Sequence, residues 1–157
     1  MKQILAFTLN GSLVEVLVEP SDTLLDVLRE QLGIMGTKRG CDSGDCGTCT
    51  VLINGEPMRS CLALALTVAG QEVGTIEGLE KDGELAPLQK AFHEHGASQC
   101  GFCTSGMILT SKALLEKSPN PSRDEIVEYM SGNLCRCGTY VEVIEAIQSV
   151  ASGEGKE

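Results

Sequence analysis

A chain of 157 residues at 42% hydrophobic composition can bury a core without crosslinks, and with 3% aromatics and no Trp that core must rest on Leu, Ile, Val, Ala and Met. The net charge of −10 is spread over both halves, with 5 basic and 9 acidic side chains in residues 1–76 against 7 and 13 in residues 77–157. Phosphate backbones would be repelled, so a nucleic-acid partner is disfavoured. No run approaches the roughly 18 apolar residues of a membrane span. The opening MKQILAFTLNGSLVEV is broken by Asn10, Gly11 and Glu15 before it could serve as a secretory signal. The expected compartment is the cytoplasm, where thiols stay reduced unless they hold metal or do redox work. Eight cysteines therefore point towards metal.

In chain order, the β-prone runs 3–9 and 12–18 flank Asn10-Gly11, the strongest short signal for a hairpin. After Pro20, SDTLLDVLREQLG predicts a helix with capping residues at Ser21 and Asp22, an apolar face of Leu24, Leu25, Leu28 and Leu32, and Gly33 as its stop. A second Asn-Gly turn at Asn54-Gly55 lies between TVLI and PMRSCLALALTV, and EVGTIE adds a short extended piece. This order predicts a small α+β unit whose sheet grips one helix. From about residue 77 the texture changes. EGLEKDGE reads as a linker, followed by helices at about 84–95, 104–117, 123–131 and 139–151, the third opened by a Ser122/Glu125 capping box. Four apolar-striped helices predict a small bundle, and SGEGKE at the end a frayed tail. The expected domains are residues 1–76, a linker at 77–82, and residues 83–157.

Cys41, Cys46, Cys49 and Cys61 read C-x4-C-x2-C-x11-C, whose first two intervals match the plant-type ferredoxin pattern for a 2Fe-2S cluster. Four thiolates must converge on two irons, and Gly36, Gly40, Gly44 and Gly47 would let the backbone curl around the bridging sulfides. Zinc usually takes C-x2-C pairs set further apart, and a phosphate-cradling loop would need Gly-Lys-Ser/Thr or G-x-G-x-x-G, which this loop lacks. The second set is Cys100 and Cys103 in SQCGFCTSGM with Cys135 and Cys137 in GNLCRCGTY. Its spacing suits either a structural zinc or a second iron–sulfur centre. Each pair falls where an inter-helix turn meets a helix start, so two turns at one end of a bundle could bring four sulfurs together.

Taken together, GCDSGDCGTCTVLINGEPMRSC, QCGFCTSGM and GNLCRCGTYVEVIEAI make the whole chain resemble the small iron–sulfur subunit of the xanthine dehydrogenase family of molybdenum hydroxylases. The resemblance implies an N-terminal ferredoxin-like β-grasp domain and a C-terminal four-helix domain, each with one 2Fe-2S cluster. It implies Cys41, Cys46, Cys49 and Cys61 as ligands of an outer cluster, and Cys100, Cys103, Cys135 and Cys137 as ligands of an inner one. Gln99 matches the glutamine that reaches the pterin, and Cys137 the ligand nearest to it. The implied partners are a large molybdopterin-binding subunit and an FAD-binding medium subunit in a hetero-oligomer, with a dimer of heterotrimers as one arrangement. The chain would be an electron-transfer subunit of a molybdenum oxidoreductase, with catalysis on a partner.

Two departures stand out. The family's common C-T-P-G-M is here Cys103-Thr104-Ser105-Gly106-Met107, and its C-R-C-T-G-Y is Cys135-Arg136-Cys137-Gly138-Thr139-Tyr140. The second variant resembles members acting on aldehydes or N-heterocycles. The alternatives are a free-standing two-cluster electron carrier, which would show no large apolar patch around Cys137, and a zinc-stabilised interaction protein. His93 and His95 do not share a helix face and read as solvent-facing, Met107 and Ile108 as core, and Asp42 and Asp45 as solvated loop acids. Arg136 could balance cluster charge or contact a partner.

Overall fold

Asn10 and Gly11 both take left-handed backbone, φ 49° and 84°, as a two-residue hairpin turn requires. Strands β1 (Gln3–Leu9) and β2 (Ser12–Val18) pair antiparallel across it, with Leu9 opposite Ser12 and Gln3 opposite Val18. Asn54 and Gly55 repeat the turn between β3 (Thr50–Ile53) and β4 (Glu56–Arg59). Strand β5 (Glu72–Gly74) lies between the hairpins, parallel to β1 and antiparallel to β3, and completes a sheet of order β2-β1-β5-β3-β4. This computed structural model describes residues 1–153.

Helix α1 is shorter than its apolar pattern suggests. It is α-helical over Leu24–Asp26 and runs on as a wide π-type turn over Val27–Gln31. Its cap is Thr23, not Ser21 or Asp22: the Thr23 hydroxyl accepts the Asp26 N–H at 3.1 Å while Asp26 accepts the Thr23 N–H at 3.0 Å. A capping box needs an acceptor three residues on, which Asp26 supplies for Thr23, whereas Ser21 and Asp22 meet Leu24 and Leu25. Asp22 instead accepts the Glu19 N–H at 2.8 Å. Leu24, Val27 and Leu28 join Leu5, Phe7, Val18, Val51 and Val73 in one core, so the sheet does grip the helix. The run PMRSCLALALTV is strand only through Arg59; Ala65–Val68 forms a 3-10 turn.

The second half is helical. Helix α2 (Pro87–Glu94) starts later than expected because Glu84 bridges back to Lys81 and Pro87 opens the first turn. Helices α3 (Thr104–Lys117), α4 (Arg123–Met130) and α5 (Tyr140–Ser152) follow, α4 on its Ser122/Glu125 capping box. Gly153 ends α5 in left-handed backbone, so the expected tail starts no earlier than there, and residues 154–157 lie outside the described residues. Phe92, Met107, Ile126, Val143 and Ile147 form a second core. Leu52 of β3 packs on Leu109 and Ala113 of α3, fixing the helices against the sheet. The architecture is thus α+β, and no helix of the described residues is long and apolar enough to cross a membrane.

The α1 cap carries a pH signature. Burial pushes the Asp26 carboxyl up, but the Thr23 hydroxyl, the Thr23 amide and Arg39 outweigh it and hold its pKa below the ordinary 3.8. A carboxylate with a depressed folded pKa adds stability above its unfolded pKa and loses it as pH falls through the folded value. Asp26→Asn is expected to cost about 1 kcal/mol at neutral pH, the usual worth of a cap, or ~2–4 °C in Tm. Thermal melts should show the gap from wild type closing as pH is lowered below 3.8.

Candidate metal centres

Residues 35–49 form no helix or strand before Thr50. They curl through left-handed backbone at Asp42, Gly44 and Gly47, φ 56°, 84° and 75°. Gly40 serves differently: its backbone is ordinary, but a Cβ there would sit 2.8 Å from the Cys46 sulfur. Arg39 ties the loop to α1 by pairing with both Asp26 and Asp42, and Asp42 remains an exposed, solvated loop acid within that surface pair. Asp45 accepts the Ser43 hydroxyl at 2.7 Å. The Cys41 sulfur accepts N–H groups from Ser43 and Cys46, each at 3.4 Å. Cys49 and Cys61 are buried beneath, against Leu25.

In the second set, Cys103 is the N-cap residue of α3 and Cys100 lies just before it across Gly101. Cys135 and Cys137 precede α5. Cys100, Cys103 and Cys135 of the two turns line one cleft. Cys135 is gripped at two atoms: the Thr139 hydroxyl donates to its sulfur at 3.2 Å, and its own N–H donates to the Tyr140 phenol at 2.8 Å.

The thiols sort into two sets of four. Cys61 is within reach of Cys49 and Cys41, and Cys41 of Cys46. Cys103 meets Cys135 and Cys100, and Cys137 meets Cys100 and Cys135. Each set mixes a ready thiolate with reluctant thiols. The Ser43 hydroxyl and the Cys46 and Ser43 amides draw Cys41 down to about 6. Burial pushes the other way at Cys135, yet the Thr139 hydroxyl and amide, Cys103 and the Gly138 amide hold it at about 7. Burial, then Cys49, pushes Cys61 up to about 11, and burial, then Cys135, pushes Cys103 up to about 12. Cys61 and Cys103 need metal charge to ionise, which iron would supply. Among the described residues no three His, Cys, Asp or Glu side chains are grouped to hold a single ion. Four thiols around a glycine-bent loop, with amides aimed at sulfur, suit a two-iron centre that takes two thiolates per iron.

The sets share a seam. The Leu134 N–H donates to the Cys46 carbonyl at 2.9 Å, one residue from Cys135. The Asn133 amide donates to the Gly47 carbonyl at 3.2 Å. Arg59 donates to the Gly132 carbonyl at 2.6 Å and to the Thr50 hydroxyl at 2.9 Å. Gly106 of α3 lies so close that a Cβ would strike the Gly47 carbonyl oxygen. A cleft of 380 Å3 runs along the seam, with Cys46 on one wall, Cys100, Cys103 and Cys135 on the other, and Phe102 and Leu134 beside them.

Gln99 and Cys100 are both exposed, as is Cys137. His93 is exposed, while Met107 and Ile108 are buried in the helical core. Sequence reasoning missed Thr139, Arg59, Asn133 and Gly106 as parts of the site. Only Thr139 left a signal, the inverted Gly-Thr order after Cys137.

Residues 7–75 match a family model described as a 2Fe-2S iron-sulfur cluster binding domain, and residues 75–148 match one described as a 2Fe-2S binding domain. The nicotinate dehydrogenase small FeS subunit of Eubacterium barkeri is 48% identical over 140 residues, covering 89% of each chain. The isoquinoline 1-oxidoreductase subunit alpha of Brevundimonas diminuta is 50% identical over 149 residues, covering 94% of this chain and 97% of the relative. Among solved structures, quinoline 2-oxidoreductase from Pseudomonas putida 86 superposes with a TM-score of 0.94 at 49% identity, over 98% of this chain and 94% of that one.

Proposed function

Since the chain belongs, as a small iron–sulfur subunit, to the xanthine dehydrogenase family of molybdenum hydroxylases, it is an electron-transfer subunit of a multi-subunit oxidoreductase, and we propose that it relays single electrons between a molybdopterin site and FAD or another acceptor. One 2Fe-2S cluster per domain supplies the one-electron carrier that side chains alone cannot. In this reading Cys41, Cys46, Cys49 and Cys61 hold the outer cluster within residues 1–76. Residues 77–82 link to a four-helix bundle over 83–157, where Cys100, Cys103, Cys135 and Cys137 hold the inner one. Gln99 and Cys137, both exposed, face the pterin of a large partner subunit in the cytoplasm. A medium FAD subunit completes the hetero-oligomer. Relatives named for nicotinate, isoquinoline and quinoline support an N-heteroaromatic substrate for the assembled enzyme.

The observation that carries the relay is the hydrogen bond from Leu134 N–H to the Cys46 carbonyl. It joins a ligand of one quartet to the neighbour of a ligand of the other through a single non-covalent step. Chains that merely carried two unrelated sites would have no reason to hold them in one backbone contact.

The free-standing carrier is disfavoured by the surface near Cys137. Val141, Leu134, Phe102 and Tyr140 are 52%, 51%, 46% and 44% exposed there, the apolar rim that a carrier working alone would lack. Introducing Asp at Leu134 and Val141 is expected to release the chain from its large subunit during co-purification while its iron content stays at the wild-type level. Wild-type chain purifying from its native source as a lone monomer would overturn the reading.

A further inference from the structure

We infer that Thr139 sets the reduction potential of the inner cluster by donating its hydroxyl proton to the Cys135 sulfur. The inference rests on the reading that Cys100, Cys103, Cys135 and Cys137 hold a 2Fe-2S cluster. Thr139 stands at the N-cap of α5, a position where Thr normally accepts a backbone N–H, yet its side chain makes no capping bond. Its hydroxyl turns to Cys135 Sγ at 3.2 Å instead. Thr139 is 1% exposed, so water cannot compete for that proton. In the outer quartet the nearby hydroxyls have other acceptors for their one proton: Thr48 Oγ1 lies 3.3 Å from the Cys46 sulfur and also 3.3 Å from the Lys38 carbonyl, and the Ser43 hydroxyl beside Cys41 donates to Asp45 at 2.7 Å.

The inverted Gly-Thr order is what allows this geometry. Gly138 occupies left-handed backbone at φ 83°, where a β-branched residue would be a steric outlier. With glycine taking that turn, the threonine falls one residue later, inside the fold and against the ligand sulfur. Tyr140 accepts the Cys135 N–H at 2.8 Å and fixes the Cys135 backbone beside the donor.

Reduction adds one electron and no proton to a centre whose sulfurs already carry negative charge. A donor on one of those sulfurs stabilises the reduced form more than the oxidised form and raises the potential. The Gly138 and Thr139 amides also act on Cys135 and survive any side-chain change, so the hydroxyl effect can be isolated.

The test is an EPR-monitored redox titration of the assembled complex carrying wild-type chain, Thr139→Val or Thr139→Ser. At a fixed applied potential the valine variant should hold a reduced-to-oxidised ratio at the inner cluster roughly tenfold lower than wild type, ~59 mV for a one-electron couple. The outer signal should titrate unchanged, and the serine variant should titrate with wild type. Thr139→Ala, which removes the hydroxyl without adding bulk, reads the same way if the valine variant does not assemble. Two intact signals with the inner midpoint unmoved in the variants lacking the hydroxyl would overturn the inference. So would a serine variant that titrates like valine. Failure of the underlying reading looks different, because wild type itself would then lack a second 2Fe-2S signal.

Discussion

Cys135→Ala is expected to halve the iron and acid-labile sulfide of the chain and to erase one of its two reduced EPR signals, leaving the other at full intensity. Cys135 is buried, and three residues commit themselves to it: Thr139 at its sulfur, Tyr140 at its amide and Cys103 at thiol distance. No other cysteine is free to replace it, since the remaining members of its set are Cys100, Cys103 and Cys137 and the outer four are grouped among themselves. The assembled enzyme should lose turnover with its distant acceptor while the partner subunit still binds substrate. Cys46→Ala should remove the opposite signal. Iron and sulfide assays with EPR of the dithionite-reduced complex check both.

Gly106→Ala carries the second large effect, and it acts through packing. A methyl on Gly106 would meet the Gly47 carbonyl oxygen and stand 3.3 Å from the Thr48 Cα, all of it backbone that cannot rotate aside. Overpacking of this kind costs typically 1–3 kcal/mol. Because both neighbours are main chain, the upper end is expected, about 3 kcal/mol, seen as a loss of ~6–12 °C in Tm. Gly47 lies between Cys46 and Cys49, and Gly106 lies one turn after Cys103. The strain should therefore reach both quartets, and both EPR line shapes should change. Gly74→Ala, where the backbone is not left-handed and the added methyl comes no closer than 3.5 Å to Leu52, provides the control.

The parts of this molecule that depend on neighbours in sequence were readable from sequence. Both Asn-Gly turns form hairpins, and Ser122 and Glu125 cap α4. The first helix was legible in its apolar face but not in its cap. Ser21, Asp22 and Thr23 can all cap, and the choice fell to the residue with an acid three positions on. The run after Arg59 looked extended because it is apolar. It turns instead into a 3-10 segment that buries Ala65 and Val68 under the sheet.

The seam was not legible, for a physical reason. Gly47 and Gly106, Arg59 and Gly132, and Cys46 and Leu134 are far apart in the chain, and close approach of backbones leaves no periodic pattern. Glycine on the cluster loop signalled curvature, which is only half of its use. Gly44 and Gly47 do take left-handed backbone, while Gly36 and Gly40 are small because a glutamate and a sulfur pass over them.

The seam also gives the relay its rigidity. Arg59, Asn133 and the Leu134 amide each bond across it. Two redox sites joined by several hydrogen bonds, the Asn133–Gly47 one buried, hold a steady separation that favours one-electron transfer between them. In the proposed relay, the exposed apolar side chains near Cys137 are where the chain would meet a larger neighbour.

Metal and sulfide analysis of anaerobically prepared chain, read beside its EPR spectrum after reduction, tests the central claim most directly. Two thiolate quartets predict about four irons and four inorganic sulfides per chain with two separable 2Fe-2S signals. Zinc in their place, or a single signal with half that iron, would contradict it.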